Sequence, residues 1–496
     1  MKLLSPQQIQ AWDAFTIEHE PISSIDLMER ASLQCTDKII EDGFTDKPVK
    51  IFCGKGNNGG DGLAIARQLL QQGFKPQIYI IELGAKGTND FQTNLQRLHQ
   101  ITKEIHFIQS PEFFPVIDKS DIIIDALFGS GLNRPLQDLN AAIVEHINKA
   151  AATVISIDVP SGMFIDKSSK GNIIIKADYT FTFQVIKLCL MVSDNADWFG
   201  EVTVLKIGLL EKYLEAISTT FEIVSLQQIK NYLKPRKNFS HKGTYGHALL
   251  VAGNTGKMGA AELAAKACLR TGVGLLTVNV PKAGLDIIQI AAPEAMAIIR
   301  GEEETDLSKF SAIGIGPGLG TTNDVQELLQ TVLKNYKKPM LIDADALNII
   351  GLNKDWLRLI PKDSILTPHP KEFERLFGEC NSDFERFEKA LKASTEYGLT
   401  IILKGHYTLI AHEGKGWFNN TGNAGMATGG SGDVLTGIIT SLLAQKYASL
   451  EAALTGVYLH GLSGDLCLED QSMESLLPTD LINHLGKAFN YLNFES

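Results

Sequence analysis

A chain of 496 residues is long enough for two or three domains at the usual size of roughly 100 to 200 residues each, which excludes a single small module. Its formal net charge of −11, from 46 Lys and Arg against 57 Asp and Glu, comes without any strongly basic segment and excludes a protein that lives on nucleic-acid backbone charge. Hydrophobic residues at 44% and charged residues at 21% predict packed globular structure rather than disorder.

The chain opens MKLLSPQQIQAWD, which turns polar after four residues and lacks the apolar stretch of a signal peptide. No run of 18 apolar residues occurs, so neither export nor a membrane span is expected. The six cysteines, at 35, 53, 189, 268, 380 and 467, form no C-x-x-C pair; they predict neither a disulfide framework nor a zinc site and fit a reducing cytoplasm.

From Val49 short apolar runs alternate with helical patterns: VKIFC, LAIARQLLQQG, PQIYIIEL, DIIIDALFG and ATVISIDVP. That alternation predicts a parallel sheet with helices on both faces, a Rossmann-like three-layer α/β domain whose ligand sits at the carboxyl ends of the strands. At the first such end GKGNNGGDG matches G-x-G-x-x-G through Gly54, Gly56 and Gly59. A dinucleotide site also needs an acidic residue about 20 positions on, and the nearest candidate, Glu82, lies 28 residues after Gly54, which disfavours an ordinary dehydrogenase. Instead the loop places Asn57, Asn58 and Asp61 among glycines that permit close backbone approach, at a helix start that favours anions. The plainer alternative is a tight strand-to-helix turn. Two further strand ends carry Asp125 and Asp158. Either alone is as easily a turn cap; together beside one glycine-rich loop they favour a site. The oxygens of Asn58, Asp125 and Ser161 suit a hard cation.

The pattern weakens through the polar stretch 211 to 238, and a boundary is expected near residue 220, giving domains 1–220 and 221–496. Beyond it HALLVAG, GLLTVNVP, FSAIGIGPG, MLIDAD, SILTPHP and LTIILKG predict the strands of a second α/β domain. GGSGDVLTGIITSLLA joins a glycine loop to an apolar helix with Asp433 in its first turn. The amides of Gly430, Ser431 and Gly432 should be free there as an anion cradle beside a carboxylate able to move a proton. An isolated aspartate at a helix start is more commonly a charge complement to the helix dipole; the flanking glycines favour the cradle. His369, between two prolines, reads equally as a ligand contact or a solvated loop residue. Lys404 at a strand end could attract phosphate or simply be solvated. No G-x-x-x-x-G-K-[ST] occurs, which disfavours a P-loop kinase.

GKGNNGGDGLAIAR, DALFGSGLNRP and SIDVPSG, followed by MGAAELAAKACLRTGVGLLTV, GIGPGLG, DADALN, LTPHPKE, LKGHYT and GGSGDVL, together resemble the bifunctional NAD(P)H-hydrate repair enzymes. The resemblance implies an epimerase domain over 1–220 and a ribokinase-like, ADP-dependent dehydratase domain over 221–496. For the first it implies substrate contacts from Asn57, Asn58, Gly59, Gly60 and Asp61, from Gly129, Ser130, Gly131, Leu132, Asn133, Arg134 and Pro135, and from a catalytic Asp158. It also implies K⁺ at Asn58, Asp125 and Ser161. For the second it implies substrate contacts from Ala261, Gly318, His369 and a catalytic Asp433, and nucleotide contacts from Lys404, Gly405, His406, Tyr407, Thr408 and Gly432, with Mg²⁺ and with ADP as co-substrate, although some relatives use ATP. One departure, Ala31-Ser32 after LMER where relatives often carry Ala-Gly, falls on a helix and is expected to leave the site motifs untouched. The implied task is repair of dihydronicotinamide rings hydrated at C6, by interconverting the R and S epimers and dehydrating the S form to NAD(P)H, AMP and phosphate. Expected partners are small nucleotides, with no nucleic acid and no membrane, in a homo-oligomer. The competing reading is a small-molecule kinase of ribokinase type fused to a non-catalytic Rossmann-like binding module.

Overall fold

A computed structural model describes residues 1–302 and 305–493. They fall into two units, one of Lys2–Thr219 with Ser382–Phe384, the other of Thr220–Asn381 and the chain from Glu385 onward, with Met1.

In the first unit the apolar runs become β1 (Val49–Cys53), β2 (Gln77–Ile81), β3 (Ile105–Ile108), β4 (Ile122–Ala126), β5 (Thr153–Ile157), β6 (Tyr179–Phe183) and β7 (Glu201–Leu205). They are ordered β3-β2-β1-β4-β5-β6-β7, all parallel. The helices are α1 (Pro6–His19), α2 (Ser24–Glu41), α3 (Asn57–Gln71), α4 (Asn89–His99) and α5 (Asp138–Lys149). Ile122 and Ile124 of β4 pack into one apolar cluster with Cys35 and Ile39 of α2 and Leu63 and Ile65 of α3. Ile123 enters another with Ile143, Val144 and Ile147 of α5. A strand covered on both faces needs an unbroken apolar run, which is why DIIID reads as it does. The strand order reverses between β1 and β4, so the crevice above their carboxyl ends is where a doubly wound sheet opens to a ligand. Register puts Cys53 opposite Ala126, and the Gly54 N–H donates to the Ala126 carbonyl at 3.0 Å, so both outgoing loops start side by side.

The second unit contains β8 (Phe221–Ile223), β9 (His247–Val251), β10 (Leu275–Val280), β11 (Met296–Ile299), β12 (Ala312–Ile315), β13 (Met340–Ile342), β14 (Ile365–Leu366), β15 (Thr400–Leu403), β16 (Thr408–His412) and β17 (Lys415–Asn419). From β8 the order is β8-β17-β16-β15-β14-β13-β12-β9-β10-β11, with antiparallel pairing only where β16 meets β15 and β17. Again the order reverses, here between β9 and β12. The helices that matter below are α6 (Met258–Arg270), α7 (Ala344–Leu352), α8 (Pro370–Phe377), α9 (Ser431–Ala444) and α10 (Ser449–Cys467). From Val434 to Ala444 every residue of α9 is buried, which accounts for an apolar sequence without helical alternation. It lies so close to α6 that a Cβ on Gly437 would meet the Ala264 carbonyl oxygen at 2.2 Å.

All six cysteines are free thiols, and all but Cys380 are buried. Among the described residues no helix is long and apolar enough to cross a membrane.

Candidate active sites

At the first switch point the chain leaves β1 through Gly54-Lys55-Gly56 and enters α3 at Asn57. The NNGGD segment is therefore the opening of the helix rather than a loop. Glycines are tolerated in that turn because nothing larger fits: a Cβ on Gly59 would lie 1.8 Å from the Gly54 carbonyl oxygen, and one on Gly54 would lie 2.0 Å from that of Leu127. Glu82, the residue at the wrong distance for a ribose, is paired instead with Lys55.

The segment after β4 turns over this helix start. Gly129 packs against Asn58 and Asp158, its Cβ position 3.2 Å from each, and the Ser130 N–H donates to Asp158 Oδ2 at 3.0 Å. Residues 131 and 133–135 of the same segment are exposed, available to a ligand. Asp158 leaves β5 in the left-handed region, at φ +69°, a conformation that costs a non-glycine residue about 1–3 kcal/mol and recurs at functional sites. Its Oδ1 lies 2.8 Å from Lys187 Nζ, whose side chain is only 2% exposed. Burial works to raise the Asp158 pKa, but Lys187 and the Ser130 amide outweigh it and hold the carboxyl below its ordinary range. Asp61 lacks such a partner: burial, with Asp158 nearby, pushes it well above that range.

Lys187 escaped the sequence reading although FTFQVIKLCLMV carries a signal, since a lone lysine inside an apolar run must find a buried carboxylate. The Ala31-Ser32 departure also proves relevant. The Ser32 hydroxyl, fully buried on α2, lies 3.4 Å from Asp61 Oδ1, so this position reaches a site residue across the helix interface.

Asp125, next to last in β4, is fully buried, and among the described residues no cationic side chain pairs with it. Oδ1 accepts from the Ser161 hydroxyl at 2.5 Å and the Leu127 N–H at 3.2 Å, and Oδ2 accepts from the Ser156 hydroxyl at 2.8 Å and the Ser161 N–H at 2.9 Å. Ser161 Oγ also accepts from the Phe128 N–H at 2.8 Å, which connects this cluster to the Gly129 turn and so to Asn58. Both polar atoms of the Asn58 side chain are buried without a hydrogen-bond partner. The orphaned Asn58 amide and the buried Asp125 carboxylate, linked through the Gly129 turn, supply the hard oxygens a cation site needs.

In the second unit, β9 and β12 release the loops at 252–257 and 316–320, joined by a Gly253 N–H to Pro317 carbonyl bond of 2.8 Å. With the start of α9 they border an open pocket of about 460 Å³, lined by residues including Gly256, Lys257, Gly318, Asp345, Gly430 and Asp433. Gly430 caps α9 at φ +99°, which turns the chain into the helix and puts Asp433 in its first turn. Among the described residues no hydrogen bond reaches the Gly430 or Gly432 amide; that of Ser431 differs from expectation, because the Thr428 carbonyl takes it at 3.4 Å.

Behind Asp433, Asp343 ends β13 fully buried. It accepts from Lys404 Nζ at 2.9 Å and from the Thr436 hydroxyl at 2.8 Å. Burial first, then the charge of Asp343, pushes the Asp433 carboxyl up to about 6. Lys404 keeps its charge: burial opposes it, but Asp343 and Glu372 raise its pKa. Asp343 and Asp345 belong to DADALN, and neither was singled out in the sequence, although both follow closely on an apolar strand.

Gly432 brings its Cα hydrogens to this same group, with a Cβ position 3.6 Å from Lys404 Nζ. Gly405 to Thr408 form the turn between β15 and β16, closed by the Thr408 hydroxyl on the Gly405 carbonyl at 3.2 Å. His406 and Tyr407 stand edge to face within it. His369 caps α8, its Nδ1 accepting the Lys371 and Glu372 amides at 3.1 and 3.4 Å. The preceding Pro368 carbonyl accepts the Lys404 N–H at 3.0 Å, so His369 stands by the lysine rather than on the cavity wall. Ala261 is fully buried, while Ala260, one residue earlier on α6, lines the cavity.

Two mainly parallel α/β units, each with a glycine-rich turn and a carboxylate at its switch point, have the form of a small-molecule enzyme with a candidate site in each unit. A family model described as NAD(P)H-hydrate dehydratase matches residues 248–487, and one described as YjeF-related protein N-terminus matches 24–189. A bifunctional NAD(P)H-hydrate repair enzyme of Moorella thermoacetica is 33% identical over 100% of this chain and 98% of its own. The chain belongs to the family of bifunctional NAD(P)H-hydrate repair enzymes. Among solved structures, an ADP/ATP-dependent NAD(P)H-hydrate dehydratase of Bacillus subtilis, co-crystallised with ATP and Mg²⁺, aligns with 55% of this chain and 99% of its own at 33% identity and a TM-score of 0.50. A ribokinase-like superfamily protein of Enterococcus faecalis aligns with 56% and 98% at 30% identity and a TM-score of 0.51.

Proposed function

We propose that the unit of residues 2–219 epimerises NAD(P)H hydrated at C6 and that the unit beginning at Thr220 dehydrates the S epimer at the expense of ADP. The observation that supports this reading is a carboxylate set beside a glycine-rich turn at both switch points: Asp158 against the Gly129–Ser130 turn, and Asp433 at the Gly430-capped start of α9.

In the first site the ring nitrogen assists loss of the C6 hydroxyl. Asp158, oriented by the Ser130 amide and Lys187, handles the proton. Residues 57–61 and 129–135 receive the nucleotide. Asn58, Asp125 and Ser161 would hold K⁺, whose charge would compensate the buried Asp125 carboxylate; the orphaned Asn58 amide supports that assignment.

In the second site Asp433 takes the proton of the C6 hydroxyl as its oxygen attacks the β-phosphorus of ADP. AMP leaves; phosphate then departs from C6 with the ring nitrogen's lone pair assisting, and loss of a proton from C5 to solvent restores the reduced ring. The Gly430 and Gly432 amides and Lys404 stabilise the charge on the transferring group, since positioning and electrostatics dominate phosphoryl transfer. Gly318 and Asp433 face the substrate, with His369 beside Lys404; Lys404 to Thr408 and Gly432 hold the nucleotide. Ala261 supports the cavity from behind through Ala260 and Gly259. Mg²⁺ would arrive with the nucleotide, and the hard carboxylate oxygens of Asp345 on the pocket lining suit it.

Mixed hydrate epimers incubated with the full chain and ADP should regain all the near-ultraviolet absorbance of the reduced ring, releasing AMP and inorganic phosphate. Without ADP the epimers should interconvert but the absorbance stay lost, and interconversion should run faster in K⁺ than in Na⁺ or a bulky organic cation. A stable phosphorylated product would instead establish the kinase reading, and equal rates in the three cations would remove the K⁺ site.

A further inference from the structure

We propose that Asp13, on α1, is a further catalytic residue of the epimerisation site, exchanging a proton with the C6 hydroxyl. The inference rests on the epimerase reading of the first unit.

On α1, Ile9, Trp12, Asp13, Thr16 and Ile17 fall at the spacing of a single helix face. Trp12 is 1% exposed and packs with Ile9 and Ile17 into an apolar cluster, and its indole N–H donates to the Leu210 carbonyl at 2.8 Å. One turn on, buried Thr16 accepts the Leu210 N–H on its hydroxyl at 3.2 Å. These contacts fix the roll of the helix and turn its inner face toward the sheet. Asp13 therefore occupies a stripe position where packing alone would select an apolar residue. Among the described residues no hydrogen bond or ion pair reaches its carboxyl. Asp13 is itself part-buried, and a carboxyl on a packing face with no partner is costly, so such a group is expected where its freedom to meet a ligand is used.

Packing brings this face to the site: the cluster of Ile9, Trp12 and Ile17 includes Ala31, next to the Ser32 that meets Asp61, and Val185, two residues before the Lys187 that pairs with Asp158. The charges Asp13 feels are accordingly those of Asp158 and Lys187, and Asp13 and Asp158 both act on Asp61. Four elements thus converge: α1 with Asp13, the start of α3 with Asp61, the end of β5 with Asp158, and the segment after β6 with Lys187. The buried thiol of Cys35 on α2 feels Asp61 and Asp158 and is pushed up by burial, so it adds no charge. One lysine cannot neutralise three carboxylates, and it pairs directly with Asp158. Burial and the Asp158 charge push Asp13 up to about 6, while Asp158 is held below its ordinary range. Two carboxyls whose environments separate them in this way suit an acid and a base.

The step balances. Asp13 gives its proton to the C6 hydroxyl, the C6–O bond breaks with its electron pair leaving as water, and the ring nitrogen supplies the lone pair that makes the cation. Water then adds to the other face. The new C6–O bond forms as Asp158 takes the proton of the incoming water, and exchange with solvent returns the pair to its starting state. The reverse epimerisation uses the two groups in exchanged roles.

The test uses the full chain with Asp13→Asn and Asp13→Glu. It follows epimer composition between pH 5 and 8 by chromatography after subtraction of the rate without protein, with ADP-dependent dehydration of pure S epimer measured in parallel. The wild type should epimerise more slowly as pH rises through about 6, because the acid is then spent. Asp13→Asn should lose that limb and about 10²-fold or more in rate, keep the dehydration rate, and melt no lower than wild type at pH 7, since an unpartnered carboxylate is gone. Asp13→Glu should retain part of the activity. A wild-type profile without the limb overturns the proposal even if the variants do not fold. So does an Asp13→Asn rate within about threefold of wild type with an unchanged profile. A wild-type chain that does not epimerise at all overturns the epimerase reading itself, which is a separate result.

Discussion

Asp433 combines two demands that conflict at a single side chain. In the proposed dehydration it must be ionised to take a proton, yet burial and Asp343 disfavour its charge and push its pKa up to about 6. Dehydration should therefore rise with pH through that value. The sign for stability is opposite: between the ordinary carboxylate range and about 6 the folded chain holds a proton that the unfolded chain has lost, so this residue's contribution to stability falls as pH rises. Asp433→Asn should consequently melt at least as high as wild type at pH 7 while losing about 10² to 10⁴-fold in dehydration rate. Thermal melting and single-turnover measurement of the reduced ring check the two halves. A near-wild-type rate would remove Asp433 from its role. Asp433, like Asp125 and Asp158, was legible in the sequence because a carboxylate at the end of an apolar strand or the start of an apolar helix, next to glycines, is a local pattern. Lys187 was not, since its value comes from a partner 29 residues earlier on another strand, and Ser32 was misjudged because its contact with Asp61 crosses between helices.

At the scale of elements, the glycines at 54 and 59 are what bring the start of α3 onto the ends of β1 and β4. Gly59→Ala would place a methyl group 1.8 Å from the Gly54 carbonyl oxygen, a backbone atom that cannot rotate away. The helix start must shift, at a cost of about 1–3 kcal/mol or more by analogy with overpacked cores, and Asn58 moves with it. Epimerisation should fall sharply and the denaturation midpoint of the first unit should drop; an unchanged midpoint would show that the turn is more pliant than its contacts imply. The strands with long apolar runs were legible in both sheets. Ile105–Ile108 and Met296–Ile299 were not, because they are sheet-edge strands, partly exposed, and carry little apolar signal. The NNGGD segment was read as loop because glycine is a poor helix former, and the packing that requires glycine there overrides the propensity.

For the whole molecule, each site draws its carboxylate, amides and lysine from one unit: Asp158, Ser130 and Lys187 from the first, Asp433, Gly432 and Lys404 from the second. The two activities should therefore be separable. Asp158→Ala should stop R-to-S conversion yet leave ADP-dependent dehydration of pure S epimer near normal, and Asp433→Ala should do the reverse. Loss of S-epimer dehydration in a folded Asp158→Ala chain would contradict two independent sites. The thiols give a way to watch the two units apart. Cys35, Cys53 and Cys189 are sealed in the first, Cys268 and Cys467 in the second, and burial raises the pKa of each. An alkylating reagent meets a reactive thiolate at these positions only when the surrounding core opens, so each modification rate is a clock for a local opening event. Half-exposed Cys380 serves as the fast reference on the same chain. Two kinetic classes of labelling, assigned by peptide, would thus rank the opening free energies of the two halves without separating them.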